Sequence, residues 1–393
     1  MLRDRVQIGD WILYVSTMAV KKIEKKDADE IIDLLVSKPP IDIEGLDKKF
    51  VEIIKNSKVR DLTRDEIVYL LKSNSTEEEA LYREAEITRK TYIRDFICVH
   101  GIIEFSSYCR HNCAYCGLRK DNSVIKRYRM TPGEIVEAAV NSVNVKGYKL
   151  LVLQSGEDEF YTTDILVEIL KKIKSQCKAF IFISIGDRDF ESYKKLREAG
   201  ASGVLYRFET SNEKLSRQVQ DKELSVRFEH LSFMKELKYF IATGSLIGLP
   251  GQTIEDLADD LLTLKKMSTT MISIGPFIPC PDTPFSGLVP GAINATLKMI
   301  SVARLMMKNA RIPVTTSLET LDPVNGRRLA MRAGANALMF NLTPEKYCKD
   351  YKIYPDRFIE KNSMLEKYAL FNSDGSYKML EKRLMGEINN NQQ

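Results

Sequence analysis

Between residues 98 and 342 short apolar runs alternate with amphipathic helical patterns, and this alternation leaves few folds open. The runs are HGIIEF (100–105), KLLVLQSG (149–156), AFIFISIG (179–186), GVLYRFE (203–209), FIATGSLIGLP (240–250), MISIGPFIP (271–279), IPVTTSLE (312–319) and ALMFNL (337–342). Between them, segments such as TDILVEILKKIKSQ and TIEDLADDLLTLKKM carry apolar residues at three- and four-residue spacing. Strands this apolar, each separated from the next by a helix, belong to a parallel sheet buried on both faces. Eight of them over about 245 residues predict an α/β fold, a closed (βα)8 TIM-type barrel. A doubly wound open sheet is the alternative. Barrel active sites gather in the loops after the strands. The polar groups Gln154-Ser155-Gly156-Glu157-Asp158, Ser184-Ile185-Gly186, Arg207-Phe208-Glu209 and Thr315-Thr316-Ser317 all fall there.

Residues 24–95 read as helical, which divides the chain into an N-terminal helical region (1–95), the barrel (96–360) and a C-terminal helical tail (361–393). Thr63-Arg64-Asp65-Glu66 and Ser75-Thr76-Glu77 mark helix starts, and Pro39-Pro40 separates the first two helices. At 44% hydrophobic and 29% charged the composition is that of an ordinary soluble globular protein. A net charge of +5, with no Lys/Arg run interleaved with aromatics, gives no sign of a nucleic-acid partner. No run approaches the ~18–20 apolar residues that would cross a membrane. The N-terminal MLRDRVQIGDWILYV holds acidic Asp4 and Asp10, so a start at Met18 is preferred to a targeting segment. The expected location is the cytoplasm, or an organellar matrix if the N-terminus is such a segment.

Three of the seven cysteines lie in FSSYCRHNCAYCGLRKDN, directly after the first strand: Cys109, Cys113 and Cys116. The other four are scattered, which suits a reducing compartment. Structural zinc takes four ligands, usually in two distant pairs, and this loop has no second half. An iron–sulfur cubane suits closely spaced thiolates on one loop. With three cysteines, one iron is left for an exogenous ligand. His111 is read as a neighbour of the cluster loop, and the isolated His100 and His230 as structural. Gly244, Gly248 and Gly251 in TGSLIGLPGQT lack phosphate-loop spacing and mark a strand-to-helix turn.

The loop CRHNCAYC resembles the C-x3-C-x2-C signature of the radical S-adenosylmethionine (SAM) superfamily. With KRYRMTPGEIVEAA, VLQSGED, GLPGQTIEDLADDLL, IGPFIPCPDTP, LKMISVARLMMKNARIPVTTSLET and RAGANALMFNLTP, it is similar over about residues 65–355 to the HydE family of [FeFe]-hydrogenase maturases. Methylornithine synthase and biotin synthase share the barrel and the cysteine motif. The resemblance implies a [4Fe-4S] cluster on Cys109, Cys113 and Cys116, which are then both metal ligands and catalytic, and SAM bound at its open iron. One electron cleaves SAM to a 5′-deoxyadenosyl radical. It further implies SAM contacts from Tyr115, Gly156, Glu157, Ser184, Glu209 and Arg227. Gln154, Arg207, Thr315 and Thr316 become lumen-facing contacts for a small, anionic or organometallic iron–cysteine substrate. On strand parity Arg207 and Glu209 share the inner face and Phe208 the outer one. Arg207 and Glu209 could also simply neutralise one another. By the same parity only one of Thr315 and Thr316 points inward. Implied partners are other hydrogenase maturases and an electron donor such as ferredoxin or flavodoxin. The stretch YPDRFIEKNSMLEKY has no cysteine for an accessory cluster, and Leu342, where tryptophan is usual, can alter the cavity. The alternatives are a methylornithine synthase-like or biotin synthase-like enzyme, and a non-catalytic iron–sulfur or zinc scaffold.

Overall fold

The computed structural model describes residues 7, 10–15, 18–35, 45–93, 96–359, 366 and 370. The break at Pro39-Pro40 and, but for residues 366 and 370, the expected tail over 361–393 lie outside these. The described chain opens with an antiparallel hairpin, β1 (Trp11–Val15) and β2 (Met18–Ile23), where the sequence suggested no strand pair. The run Trp-Ile-Leu-Tyr-Val is β-prone, and pairing satisfies its backbone. Helices Lys25–Leu35, Lys48–Val59, Arg64–Leu71 and Ser75–Ile93 follow. Thr63 and Glu66 form the expected reciprocal cap. The next helix is capped one residue earlier than expected: Asn74 Oδ1 accepts from the N–H groups of Thr76 and Glu77, both at 3.0 Å.

The barrel strands are β3 (Cys98–Ser106), β4 (Leu150–Ser155), β5 (Phe180–Ser184), β6 (Gly203–Leu205), β7 (Phe240–Thr243), β8 (Leu246–Ile247), β9 (Met271–Ile272), β10 (Gly275–Pro276) and β11 (Ala337–Asn341). Seven form one parallel sheet in the order β11-β3-β4-β5-β6-β7-β9. The runs at 240–250 and 271–279 each divide, and β8 pairs with β10 separately. Between the divided strands the backbones come very close. A Cβ at Gly244 would lie 1.8 Å from the Ser273 carbonyl oxygen, so only glycine fits there.

The seventh expected strand, IPVTTSLE, is not a regular strand. Its first half closes the ring through single bridges, Arg311 to Met271 of β9 and Pro313 to Ala337 of β11. Ile272 N–H donates to the Arg311 carbonyl at 2.7 Å and Val314 N–H to that of Ala337 at 2.9 Å. Pro313 has no N–H to extend the ladder. Its second half turns into the helix Thr316–Leu321.

Alternation along the strands sorts the core into two layers. Cys98, Ile102, Leu150, Val152, Phe180, Phe182, Phe240, Ala242, Met271 and Ala337 fill the lumen. Val99, Ile103, Leu151, Leu153, Ile181, Ile183 and Ile241 face the helices. The helix Thr163–Gln176 shows how that outer layer is made: Leu166, Ile169, Leu170 and Ile173 recur at helical spacing and are buried. Inside, the Phe182 and Phe240 rings stack at 6.5 Å, and Gly203 leaves the room that Phe182 needs. The lower lumen is thus filled, mostly by hydrocarbon but with Cys98, His100 and Arg311 as a buried polar group, and open volume remains only near the C-terminal ends of the strands. Leu342 does not reach that volume. It packs in the outer core, where its Cδ1 covers Gly101. Among the described residues no helix is long and apolar enough to cross a membrane.

Arg304, fully buried on the helix Ile293–Met306, holds the closing segment in place. It donates to the carbonyls of Gly334, Lys308 and Ala310 and to Asn336 Oδ1, all at 2.8–2.9 Å, and Asn336 Oδ1 also accepts from Ile312 N–H. Replacing Arg304 by Met strands these buried acceptors. The variant is expected to lose about 3 kcal/mol of stability, measured by urea unfolding.

Candidate active site

The open volume is one cavity of about 330 Å³ at the C-terminal mouth of the barrel. Cys109, Cys113 and Cys116 line it from the loop after β3, and all three thiols are free. Burial pushes all three thiols up, and the neighbouring thiols add to this at Cys113, which reaches about 12, and at Cys116. Gly156 allows the end of β4 to lie against this loop: a Cβ there would sit 2.2 Å from the Tyr108 carbonyl oxygen and 2.9 Å from Cys109 Cβ.

Every other residue expected to contact SAM or the substrate lines the same cavity: Tyr115, Gln154, Gly156, Glu157, Ser184, Arg207, Glu209, Arg227, Thr315 and Thr316. Gln154 and Ser184 are register partners on β4 and β5, so they share the inner face. Arg207 and Glu209 both point inward although β6 ends at Leu205, while Phe208 is fully buried in the outer core. The two charges pair at 3.0 Å, so mutual neutralisation and a position in the cavity hold together. Tyr115 donates to Glu209 Oε1 at 3.2 Å, and Arg227 donates to the Arg207 carbonyl at 2.8 Å while lying over the Tyr206 ring.

Glu209 has φ +66, a conformation that favours glycine, and it costs of order 1–3 kcal/mol in other residues. The turn that imposes it is fixed on both sides. Glu209 exchanges backbone bonds with Gly244 and Leu246, and Ser211 donates twice to buried Asp260, at 2.6 and 2.7 Å.

Two expectations change. Thr315 and Thr316 both line the cavity, because Thr316 begins a helix and strand parity no longer applies. The Glu157 carboxylate is not a free acceptor: it receives Arg110 Nε at 2.7 Å, Lys222 Nζ at 2.8 Å and Asp187 N–H at 2.8 Å, and His111 Nε2 lies 3.0 Å from it. Its pKa is low: burial alone would raise it, but His111, Lys222 and the Asp187 amide together outweigh that. Gly186 belongs to this knot, since a Cβ there would strike the carboxylate. His111, as expected, is a neighbour of the cysteines, held between Glu157 and Asp221 at 3.0 Å each. His100 is buried beside Cys98, and His230 bonds two backbone carbonyls.

The sequence did not single out Lys222, Glu104, Tyr351, Tyr354 or Arg357, which also line the cavity. The last three follow β11, so the rule that sites lie beyond strand ends could have reached them. Arg357 pairs with Glu104 at 2.5 Å and bonds the Tyr351 carbonyl, and Gly117 N–H of the cysteine loop donates to the Ile353 carbonyl. Residues 351–357 therefore form one wall of the cavity.

Three free thiols on one loop suit an iron–sulfur cluster. The buried Ser155 Oγ, Arg207 Nε and Arg227 Nε, all without a hydrogen-bond partner, suit a polar ligand beside it. A parallel barrel with this triad after its first strand defines the class, and the Radical SAM superfamily profile matches residues 103–264. The chain is 44% identical to the [FeFe] hydrogenase maturase subunit HydE of Thermotoga maritima, over 78% of its own length and 88% of that protein's. It therefore belongs to the HydE family of radical SAM enzymes, and that membership implies a [4Fe-4S] cluster and SAM. It is also 31% identical to 3-methylornithine synthase of Methanosarcina barkeri, over 76% and 85% of the two chains. The crystal structure of methylornithine synthase (PylB) aligns with a TM-score of 0.68 at 27% identity, covering 80% of this chain and 88% of that one.

Asp260 gives the site a test by pH. Burial pushes its carboxyl up to about 7. Its contribution is full below the unfolded value near ~3.9 and is lost as pH rises through about 7. Asp260→Asn should therefore be less sensitive to pH than the wild type. Relative to the variant, the wild type should lose about 2 kcal/mol between pH 5 and pH 8, read from denaturant midpoints.

Proposed function

We propose that this protein is a radical SAM maturase of [FeFe]-hydrogenase, working on a small iron–cysteine carbonyl/cyanide complex held in its barrel. The observation that carries the reading is the meeting of the three free thiols with Arg207, Glu209, Arg227 and the Thr315-Thr316 turn in one cavity. Cys109, Cys113 and Cys116 hold the cluster and leave one iron for SAM. When bound, cluster and SAM supply one electron and a 5′-deoxyadenosyl radical.

The remaining residues bind and orient. Glu209 and Tyr115, already hydrogen-bonded, present acceptors to ribose hydroxyls, and Arg227 offers its spare N–H to the methionyl carboxylate. Gly156 and Ser184 line the same side, where Gly156 leaves room for the cofactor. Glu157 serves SAM indirectly, by fixing the loop around Cys109 through Arg110. Gln154, Arg207, Thr315 and Thr316 hold the substrate, and the filled lumen below them keeps water out. Residues 96–360 act as the barrel unit, with the helices Lys48–Val59, Arg64–Leu71 and Ser75–Ile93 packed outside it. The cytoplasm supplies a one-electron donor such as ferredoxin or flavodoxin, and other maturases supply and receive the complex.

Anaerobically reconstituted protein should be brown, hold four irons per chain and release 5′-deoxyadenosine from SAM on reduction by dithionite. Serine at Cys109, Cys113 or Cys116 should reduce cleavage to background. Serine at Cys177, buried at the end of an outer helix, should leave it intact. A colourless protein, or a cluster that never cleaves SAM, refutes the enzyme. Restoring hydrogenase activity in a host that lacks its HydE maturase separates this reading from methylornithine synthesis, which a lysine-dependent product would reveal.

A further inference from the structure

Just past the cysteine loop, the sequence KRYRM (126–130) doubles back along the end of β3. Ser107 and Tyr128 exchange bonds: Ser107 N–H donates to the Tyr128 carbonyl at 3.1 Å, and Tyr128 N–H donates to Ser107 Oγ at 2.8 Å. Ser106 bridges Arg129, and Met130 N–H donates to the Phe105 carbonyl at 2.8 Å. This short antiparallel run carries Arg127 beneath the loop. There its guanidinium meets carbonyls from both flanks. Nη1 donates to Ser107 at 2.7 Å and Leu118 at 3.1 Å, while Nη2 donates to Arg119 at 2.7 Å and Asn122 at 3.0 Å, with Lys120 at 3.5 Å. Ser107 stands two residues before Cys109, and Leu118 two residues after Cys116.

The neighbouring basic residues are spent on carboxylates: Arg129 on Asp158, Arg110 on Glu157 and Glu159, Lys126 on Asp350. Among the described residues no carboxylate pairs with Arg127; its other contact is the Tyr108 ring, 5.8 Å away. Its charge is met by backbone dipoles and a ring face rather than by a carboxylate, and it stays a net positive charge at the two ends of the cysteine loop.

We infer that Arg127 is a positioning residue for the iron–sulfur cluster. Its fork ties the two ends of the thiol loop together, and its unneutralised charge eases one-electron reduction of the cluster. The inference rests on the cluster-binding role given to Cys109, Cys113 and Cys116 above. A cluster with three thiolate ligands becomes more negative on reduction, so a fixed cation nearby favours the reduced state. Net charge and hydrogen bonding are the terms by which a protein sets such potentials. The two parts separate by substitution, because Lys keeps the charge and loses the planar fork, and Gln loses both.

The test reconstitutes wild type, Arg127→Lys, Arg127→Gln and the control Lys126→Gln with iron and sulfide. It then counts iron per chain after desalting and follows an EPR-monitored redox titration. Arg127→Gln should retain less iron, and its remaining cluster should titrate at a more negative potential. The expected shift corresponds to about a tenfold loss in the reduction equilibrium, ~59 mV for one electron. Arg127→Lys should keep the wild-type potential and still retain less iron, and Lys126→Gln should match wild type in both. If Arg127→Gln does not fold, the iron loss of Arg127→Lys at unchanged potential decides. Full iron in both Arg127 variants, or a wild-type potential in Arg127→Gln, overturns the inference. A wild type that binds no four-iron cluster instead refutes the cluster reading itself.

Discussion

A ring of parallel strands closes only when its last member finds partners on both sides, and here that member is almost missing. Residues 311–315 bridge β9 and β11 through one pair each, with Arg304 and Asn336 bearing the backbone groups that a longer ladder would have satisfied. Because the segment is so short, the chain is free to turn into a helix at Thr316. That turn brings two adjacent threonines to the cavity, which a regular strand cannot do. The economy of the closure thus shapes the site as well as the fold.

Charges at the cavity come mostly in pairs. Arg207 meets Glu209, Lys222 meets Glu157 and Asp187, and Arg357 meets Glu104. Burying an unpaired ion is expensive, so pairing is the condition under which so many ions can line one small volume. It also keeps each side chain in a defined place, which a site for a reactive intermediate requires. Arg227 is the exception, meeting a carbonyl and the Tyr206 ring instead of a carboxylate, and its Nε, like that of Arg207, has no partner.

Much of this was legible in the sequence, for reasons that differ by element. The cysteine triad shows itself because thiolate chemistry and close spacing rarely coincide by accident. The strand order follows from apolar runs that alternate with helical periodicity, the inward position of Arg207 and Glu209 from strand parity, and that of Gln154 and Ser184 from the family resemblance. Other features depend on contacts too distant in sequence to show as pattern. The Glu157 knot draws on Arg110, His111, Asp187 and Lys222, and no local rule assembles those four. The β1–β2 hairpin went unread because a five-residue β-prone run is ambiguous alone. The start of the helix at Thr316 was hidden by the apolar IPV before it, which reads as strand until Pro313 removes a ladder donor.

The wall formed by residues 351–357 joins the two ends of the barrel sequence: Arg357 and Glu104 are 253 positions apart, and Ile353 rests on Gly117 of the cysteine loop. Chains emerge from the ribosome N-terminus first. The cysteine loop is therefore without that wall for as long as it takes to synthesise the rest of the barrel. Enclosure of the cavity on that side waits until nearly the whole barrel sequence has been made.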